Sequence, residues 1–125
     1  MTQPPRPTDV ELRLLQALWS LGPATVRQVH EVLCADRELT YTGVLRMLQV
    51  MHEKGLVRRD ESSRSHVYEA VLPRETTQRG LVSDLLFRAF AGSAKDLVLA
   101  ALKTGTVSAQ ERAEIQALLA TPEEP

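Results

Sequence analysis

Apolar residues recur along most of the chain at spacings of three and four, which mark one face of an α-helix. The β-prone stretches 56–59 and 66–71 follow Gly55, a residue type that commonly ends helices, and the polar residues 60–65 separate them. The clearest helical stripe lies just before Gly55 and consists of Val44, Met47, Leu48 and Met51. This pattern predicts a helix followed directly by a two-stranded hairpin.

Two shorter helical stretches precede this helix. Thr8 and Glu11 have the spacing of a capping box, and so do Thr25 and Gln28. A break at 22–23, Gly-Pro, separates the two stretches. The second stretch has an apolar side made of Val26, Val29, Val32 and Leu33. The order helix, short helix, turn, helix and hairpin is that of a winged helix-turn-helix.

The last third of the chain differs from the first part. Ranges 76–91, 96–102 and 108–120 predict three more helices, and Ser108 with Glu111 fits a third capping box. Their apolar residues exceed what one face of one helix needs, which favours burial against a second copy of the chain. The alternative is that these helices pack on their own winged helix. The dimerisation candidates are Leu81, Leu85, Leu86, Phe90, Leu97, Val98, Leu102, Ile115, Leu118 and Leu119.

We therefore expect a mainly α fold with a small β wing. Residues 1–73 would form a winged-helix DNA-binding domain, and residues 74–125 a helical dimerisation domain. A chain of 125 residues is long enough for this without disulfides. Its one cysteine, Cys34, is expected to be a small buried apolar side chain.

Composition narrows the function further. The chain has no HxxxH, HExxH or CxxC spacing and no glycine-rich phosphate loop, so we expect neither an enzyme nor a metal or other cofactor. No apolar run approaches the roughly 20 residues of a membrane span, and the first residues lack the apolar stretch of a signal peptide. These features predict a cytoplasmic protein without stable membrane association.

The charge distribution bears on DNA binding more than the net charge of −1 does. Range 40–66 holds five basic and three acidic residues. Because this excess is small, useful affinity for DNA would require two copies acting together.

The third predicted helix presents a polar face suited to a DNA major groove. Arg46 pairs well with guanine in a bidentate manner, worth roughly 1–3 kcal/mol of discrimination, and Gln49 with adenine. Thr40 and Thr42, near the helix N-terminus, suit a phosphate, whereas Gly43 allows close approach of the backbone. The candidates on this helix are Thr40, Tyr41, Thr42, Gly43, Arg46 and Gln49.

The hairpin offers contacts to the flanking phosphates or the minor groove. Its candidates are Arg58, Arg59, Arg64, Ser65 and His66, with Arg64 at the tip as first choice. For every residue of both sets the alternative is an ordinary solvated surface position or helix cap.

Four stretches together resemble the BlaI/MecI/CopY penicillinase-repressor family: residues 11–19, 25–33, 39–45 and 52–58. The segment 65–68 in the hairpin and the three-helix tail extend the resemblance to about residues 8–120. The resemblance implies a homodimeric repressor in which each winged helix binds half of a palindromic operator in double-stranded DNA. It also implies a membrane sensor protease, or a protease induced by it, as partner, with cleavage around Leu99, Ala100 and Ala101.

The sequence departs from the family at several positions. Many members have a basic residue at the position of Val50 and a Thr or Ser at that of Gly43. The segment 99–102 lacks the asparagine–aromatic pair of the staphylococcal cleavage sites, and the C-terminal cysteine cluster of the copper-responsive branch is missing. Two other function classes stay open: a winged-helix regulator that binds a small effector between its tail helices, and a winged helix used for protein contact.

Overall fold

A computed structural model describes residues 6–33 and 39–121. The expected Cys34 environment lies outside the described residues. The elements in chain order are α1 (Asp9–Leu21), β1 (Ala24–Thr25), α2 (Val26–Leu33), α3 (Tyr41–Lys54), β2 (Val57–Asp60), β3 (Val67–Ala70), α4 (Arg74–Ala89), α5 (Ala94–Leu102) and α6 (Ala109–Ala120). The mainly α architecture with a small β wing is thereby confirmed. Within the two described ranges, no helix has the length and apolar character needed to cross a membrane.

Local capping chemistry sets where the first helices begin. The Thr8 N–H donates to Glu11 Oε1 at 2.8 Å and the Glu11 N–H to Thr8 Oγ1 at 3.2 Å, which completes the predicted capping box of α1. The Thr25 N–H likewise donates to Gln28 Oε1 at 2.9 Å, and the Gln28 N–H to Thr25 Oγ1 at 3.2 Å. At the far end of α3, Gly55 adopts the left-handed φ of 84° that ends the helix as expected.

The sheet has three strands in the order β1-β3-β2, all antiparallel. The hairpin formed by β2 and β3 is the predicted wing, and Arg59 lies opposite Tyr68 in it. The sequence analysis missed β1, which pairs Ala24 with Tyr68 and Thr25 with Val67. A strand of two residues has no alternation to detect, because only its pairing with β3 defines it.

One continuous core joins α1, α2, α3 and the sheet within the first of the two compact units, residues 1–81. Leu14, Val44 and Leu48 are fully buried, and the Tyr68 ring is only 1% exposed. Val32 was expected in this core, but its side chain is 49% exposed. The eight-residue α2 reaches the core through one narrow stripe that starts with Val26 and Val29, and Val32 lies off it.

The second unit, residues 82–125, has a different character, because none of the described residues of α4, α5 or α6 is buried. Two helices begin earlier than expected. Helix α4 starts at Arg74, directly after Pro73, instead of at Thr76 or Thr77. Helix α5 starts at Ala94 instead of Asp96, because Ser93 Oγ accepts the Asp96 N–H at 3.1 Å and caps the helix.

Helix α4 contributes residues to both units, since the division falls after Leu81. The expected domain boundary after Pro73 stays a prediction.

Candidate nucleic-acid interface

The core fixes which face of α3 is exposed. Val44, Leu48 and Met51 are 0% exposed, so this stripe is held against α1 and α2. Because side chains on a helix repeat every 3.6 residues, the opposite face is turned to solvent. Thr42, Arg46 and Gln49 lie on this exposed face.

The N-terminus of α3 is held by side chains on both sides of it. Thr40 Oγ1 accepts the Gly43 N–H at 3.0 Å, so this hydroxyl already serves as a cap. A Cβ at Gly43 would lie 3.1 Å from that oxygen, close enough to push on the cap. The His30 ring packs edge-on against Tyr41 with centroids 6.1 Å apart, and its Nε2 lies 3.2 Å from the Leu39 carbonyl oxygen. Through these His30 contacts, α2 holds the N-terminal end of α3 in place.

A groove of about 540 Å³ lies between α3, the wing and the start of α2. It brings together six of the predicted DNA-contacting residues: Tyr41, Gln49, Arg59, Arg64, Ser65 and His66. Thr40, Thr42, Gly43, Arg46 and Arg58 do not line it. Arg46 and Thr42 lie on the exposed face of α3, whereas Arg58 lies on the other face of the wing, opposite Glu69.

Ion pairs divide the basic residues of this surface into two groups. Arg58 pairs with Glu69 at 3.1 Å, Arg59 with Glu61 at 2.9 Å and Lys54 with Glu11 at 2.8 Å. By contrast, Arg46 and Arg64 are exposed and have no ion pair among residues 6–33 and 39–121. Only these two of the five basic residues counted in the sequence offer an uncompensated charge to a ligand.

The tip of the wing is ordered by its own hydrogen bonds. Asp60 Oδ1 accepts the Ser62 N–H at 2.9 Å, and Ser63 Oγ donates to the Ser65 carbonyl oxygen at 2.9 Å. Hydrogen bonds from Ser62 lower the pKa of the Asp60 carboxyl. These contacts hold the backbone on both sides of Arg64, the tip residue.

Arg59 has a different role from Arg64. Its side chain is 22% exposed, and hydrogen bonding to Tyr68 and then to Glu61 raises the pKa of its guanidinium. Arg59 therefore forms part of the groove wall as a compensated charge.

The sequence analysis did not foresee the position of Arg27 or the second contact of Glu11. Arg27 lines the groove from the start of α2, and the signal for it was its exposed position two residues after the capping Thr25. Glu11 was assigned only to the α1 cap, yet its side chain is 1% exposed and its second oxygen accepts from Lys54 at the end of α3. Burial alone would raise the pKa of Glu11, but hydrogen bonds from Lys54 and Thr8 outweigh it and lower the pKa.

The predicted dimerisation residues lie on α4, α5 and α6. Leu85, Val98, Leu118 and Leu119 are 49, 43, 74 and 77% exposed. The others are half-buried: Leu81, Leu86, Phe90, Leu97, Leu102 and Ile115. Phe87 and Val82, which are not in the predicted set, are 68 and 49% exposed. The predicted cleavage residues Leu99, Ala100 and Ala101 are exposed within α5.

Within the described ranges, no group of three or more His, Cys, Asp or Glu side chains is placed to hold a metal ion. The arrangement is thus a cationic groove beside an exposed polar helix face, with no metal centre in that part of the chain.

Comparison with known proteins gives the same picture of the fold. The model of the penicillinase repressor family matches residues 7–121. The transcriptional regulator BlaI of two Mycobacterium tuberculosis strains is 43% identical over 82 residues, which are 65% of this chain and 59% of that protein. The chain thus spans about three fifths of the length of the curated relatives that it matches.

Among solved structures, the monomeric form of Bacillus licheniformis BlaI in complex with the blaP half-operator superposes with a TM-score of 0.51 at 20% identity. The superposition covers 60% of this chain and 92% of that one. At this identity the likeness concerns the fold, and it agrees with the predicted winged helix.

Proposed function

Because the chain belongs to the penicillinase repressor family, we propose that it is a transcriptional repressor that binds a palindromic operator in double-stranded DNA as a homodimer. Penicillinase repressors are regulators of transcription and not enzymes, as the sequence predicted. The observation that carries the proposal is the exposed face of α3 beside a groove whose far wall carries Arg64.

The proposal assigns base recognition to α3. A helix of this diameter enters the major groove, and the side chains that then reach the base edges are those opposite the core stripe. Arg46 and Gln49 lie one helical turn apart on that face and are both exposed. Arg46 suits the O6 and N7 atoms of guanine, and Gln49 suits the N6 and N7 atoms of adenine.

The proposal assigns backbone contacts to the wing and to the N-terminus of α3. Arg64 stands at an ordered tip and is free of ion pairs within the described ranges. Tyr41 and His66 line the same groove and carry groups that can donate to phosphate oxygens. Thr40 caps α3 and so holds its first turn in place. Thr42 and Gly43 belong to this turn, which approaches the DNA backbone closely. Arg58 is the weakest of the set, since Glu69 already compensates its charge.

Dimerisation would supply the DNA affinity that a single winged helix lacks. Few uncompensated cations per copy mean few neutralised phosphates, and linking two copies raises the effective concentration of the second half-site contact. The exposed apolar side chains of α4, α5 and α6 support a second copy as the partner, because a lone chain would leave Phe87, Leu118 and Leu119 in water.

Gel shifts with two variants test the DNA contacts. The operator is first selected from a random pool with the wild-type protein. Arg46→Ala should lose about tenfold or more of its preference for the selected sequence over a mutated one. Arg64→Ala should weaken binding to both sequences alike and reduce the slope of log affinity against log salt by about one per half-site. Identical behaviour of the two variants would refute these separate roles.

Release of the operator by proteolysis rests on the family alone. Leu99, Ala100 and Ala101 are exposed, which gives a protease access, but they are helical, so α5 must open locally before cleavage. The mass of the chain recovered from cells exposed to a β-lactam checks this: an intact chain in derepressed cells would exclude cleavage as the release step.

A further inference from the structure

The groove between α3 and the wing has a third wall that the proposed DNA contacts do not use. This wall is the start of α2 and carries Arg27, which lines the same groove as the wing residue Arg64. The two arginines come from elements 37 positions apart in the sequence, and only the fold places them on one cavity.

The charged side chains that line this groove within residues 6–33 and 39–121 are all basic. Among the residues that the structure describes, its lining includes Arg27, Arg59 and Arg64 but no Asp or Glu. The charge of Arg59 is compensated by Glu61 at 2.9 Å, whereas Arg27 and Arg64 have no ion pair within the described ranges. Cations that converge on a cleft without a carboxylate produce a local positive potential, which an anion relieves.

The shape of the groove is compatible with one strand of nucleic-acid backbone. Its volume of about 540 Å³ is within the range of sites that hold a group of nucleotide size. Polar side chains, Gln49 and His66, line it beside the arginines, and Val26 and Leu45 supply an apolar floor. Phosphates present charge to the arginines, and the sugars present apolar carbon to the floor.

From this geometry we propose that Arg27 binds a backbone phosphate of the operator, so that α2 and the wing hold the same DNA strand in the groove. This inference rests on the proposed function. It adds α2 to the DNA-binding surface and makes Arg27 a positioning residue that fixes the register of α3 on the duplex. A phosphate contact carries no base information itself.

The test compares three single-charge variants on the selected operator. Arg27→Gln removes the proposed contact, Arg27→Lys keeps its charge, and Lys95→Gln removes one exposed cation of α5, outside the groove. Arg27→Gln should bind every sequence about tenfold more weakly and lower the salt slope by about one per half-site. Arg27→Lys should restore the salt slope, and Lys95→Gln should match the wild type.

A second measurement identifies the phosphate. Operators in which one phosphate at a time is replaced by an uncharged methylphosphonate should weaken wild-type binding at several positions. Arg27→Gln should be insensitive to the replacement at one position in each half-site and as sensitive as the wild type elsewhere. Unchanged fluorescence of the single Trp19 in this variant serves as the check that unit 1 is folded.

The outcomes separate the two proposals. The role of Arg27 is overturned if Arg27→Gln binds DNA as Lys95→Gln does, or if it stays sensitive to methylphosphonate at every position. Either result leaves the proposed function standing. Failure of the wild-type protein to retard any selected DNA at low salt overturns both.

Discussion

The two compact units of this chain differ in how they use apolar side chains. In residues 1–81, Leu14, Val29, Val44 and Leu48 are all 0% exposed. In α5 and α6 no described residue is buried, and Leu119 is 77% exposed. A single chain can thus complete the first unit by itself, whereas the second lacks a closed core. The comparison teaches that the first unit encloses its own core, whereas the exposed apolar side chains of the second are what the proposed dimer would cover.

A core truncation in the first unit is the strongest way to test this contrast. Leu48→Ala should destabilise the unit by about 2–5 kcal/mol, because a fully buried leucine loses both its transfer energy and its packing. Urea unfolding followed by Trp19 fluorescence measures it, since this single tryptophan packs against the core of unit 1.

The matched control for this truncation is the same change at an exposed leucine of the other unit. Leu119→Ala should move the Trp19 transition by less than about 0.5 kcal/mol, as expected at an exposed site. Equal losses in the two variants would mean that both units belong to one cooperative core, and the contrast between them would be wrong.

The second unit is tested by changing its association. Leu119→Asp should weaken dimerisation at least tenfold, or about 1.4 kcal/mol, because it places a charge in the proposed apolar interface. Sedimentation equilibrium over a range of concentrations measures the dissociation constant. Gln116→Asp is the control, since it adds the same charge at an exposed polar position of α6. A monomeric wild type at micromolar concentration, or equal dimerisation of the two variants, would remove the second copy as the partner.

Local signals made most of the first unit predictable from the sequence. The caps at Thr8, Thr25 and Thr40 and the stop at Gly55 involve residues within a few positions of each other, so their hydrogen bonds follow from spacing. The strand β1 was not predictable in this way, because it exists only through pairing with β3, more than forty residues later.

The candidate site was predictable only in its helical part. The exposed face of α3 follows from the buried stripe by helical periodicity, which identifies Thr42, Arg46 and Gln49. The contribution of Arg27 requires knowing that α2 borders the wing. The sequence analysis also counted Lys54 as a cation available to DNA, whereas Glu11, 43 positions away, neutralises it. Because this neutralisation depends on a tertiary contact, counting charges along a local stretch of sequence cannot detect it.

A smaller loss of stability than that of Leu48→Ala is expected from removing this same ion pair. Glu11→Gln should destabilise unit 1 by about 1–2 kcal/mol at pH 7, less than for a fully buried pair because the Lys54 side chain is 37% exposed. The pKa of Glu11 is lowered in the folded chain, since hydrogen bonds from Lys54 and Thr8 outweigh burial. A lowered folded-state pKa means that the contribution is present above the unfolded-state pKa of about 4.3 and is lost as the pH falls through the folded value.

The pH dependence distinguishes a charge effect from a packing effect. The stability gap between wild type and Glu11→Gln should therefore be full at pH 7 and shrink as the solution is acidified below about pH 4.3. Glu114→Gln serves as the control from the second unit, because this carboxylate is exposed and should leave the Trp19 transition unchanged at either pH. A gap that stays constant down to pH 3 would show that Glu11 acts by shape and hydrogen bonding alone. In that case the buried carboxylate would not be the electrostatic link between the start of α1 and the end of α3 that its 2.8 Å contact with Lys54 indicates.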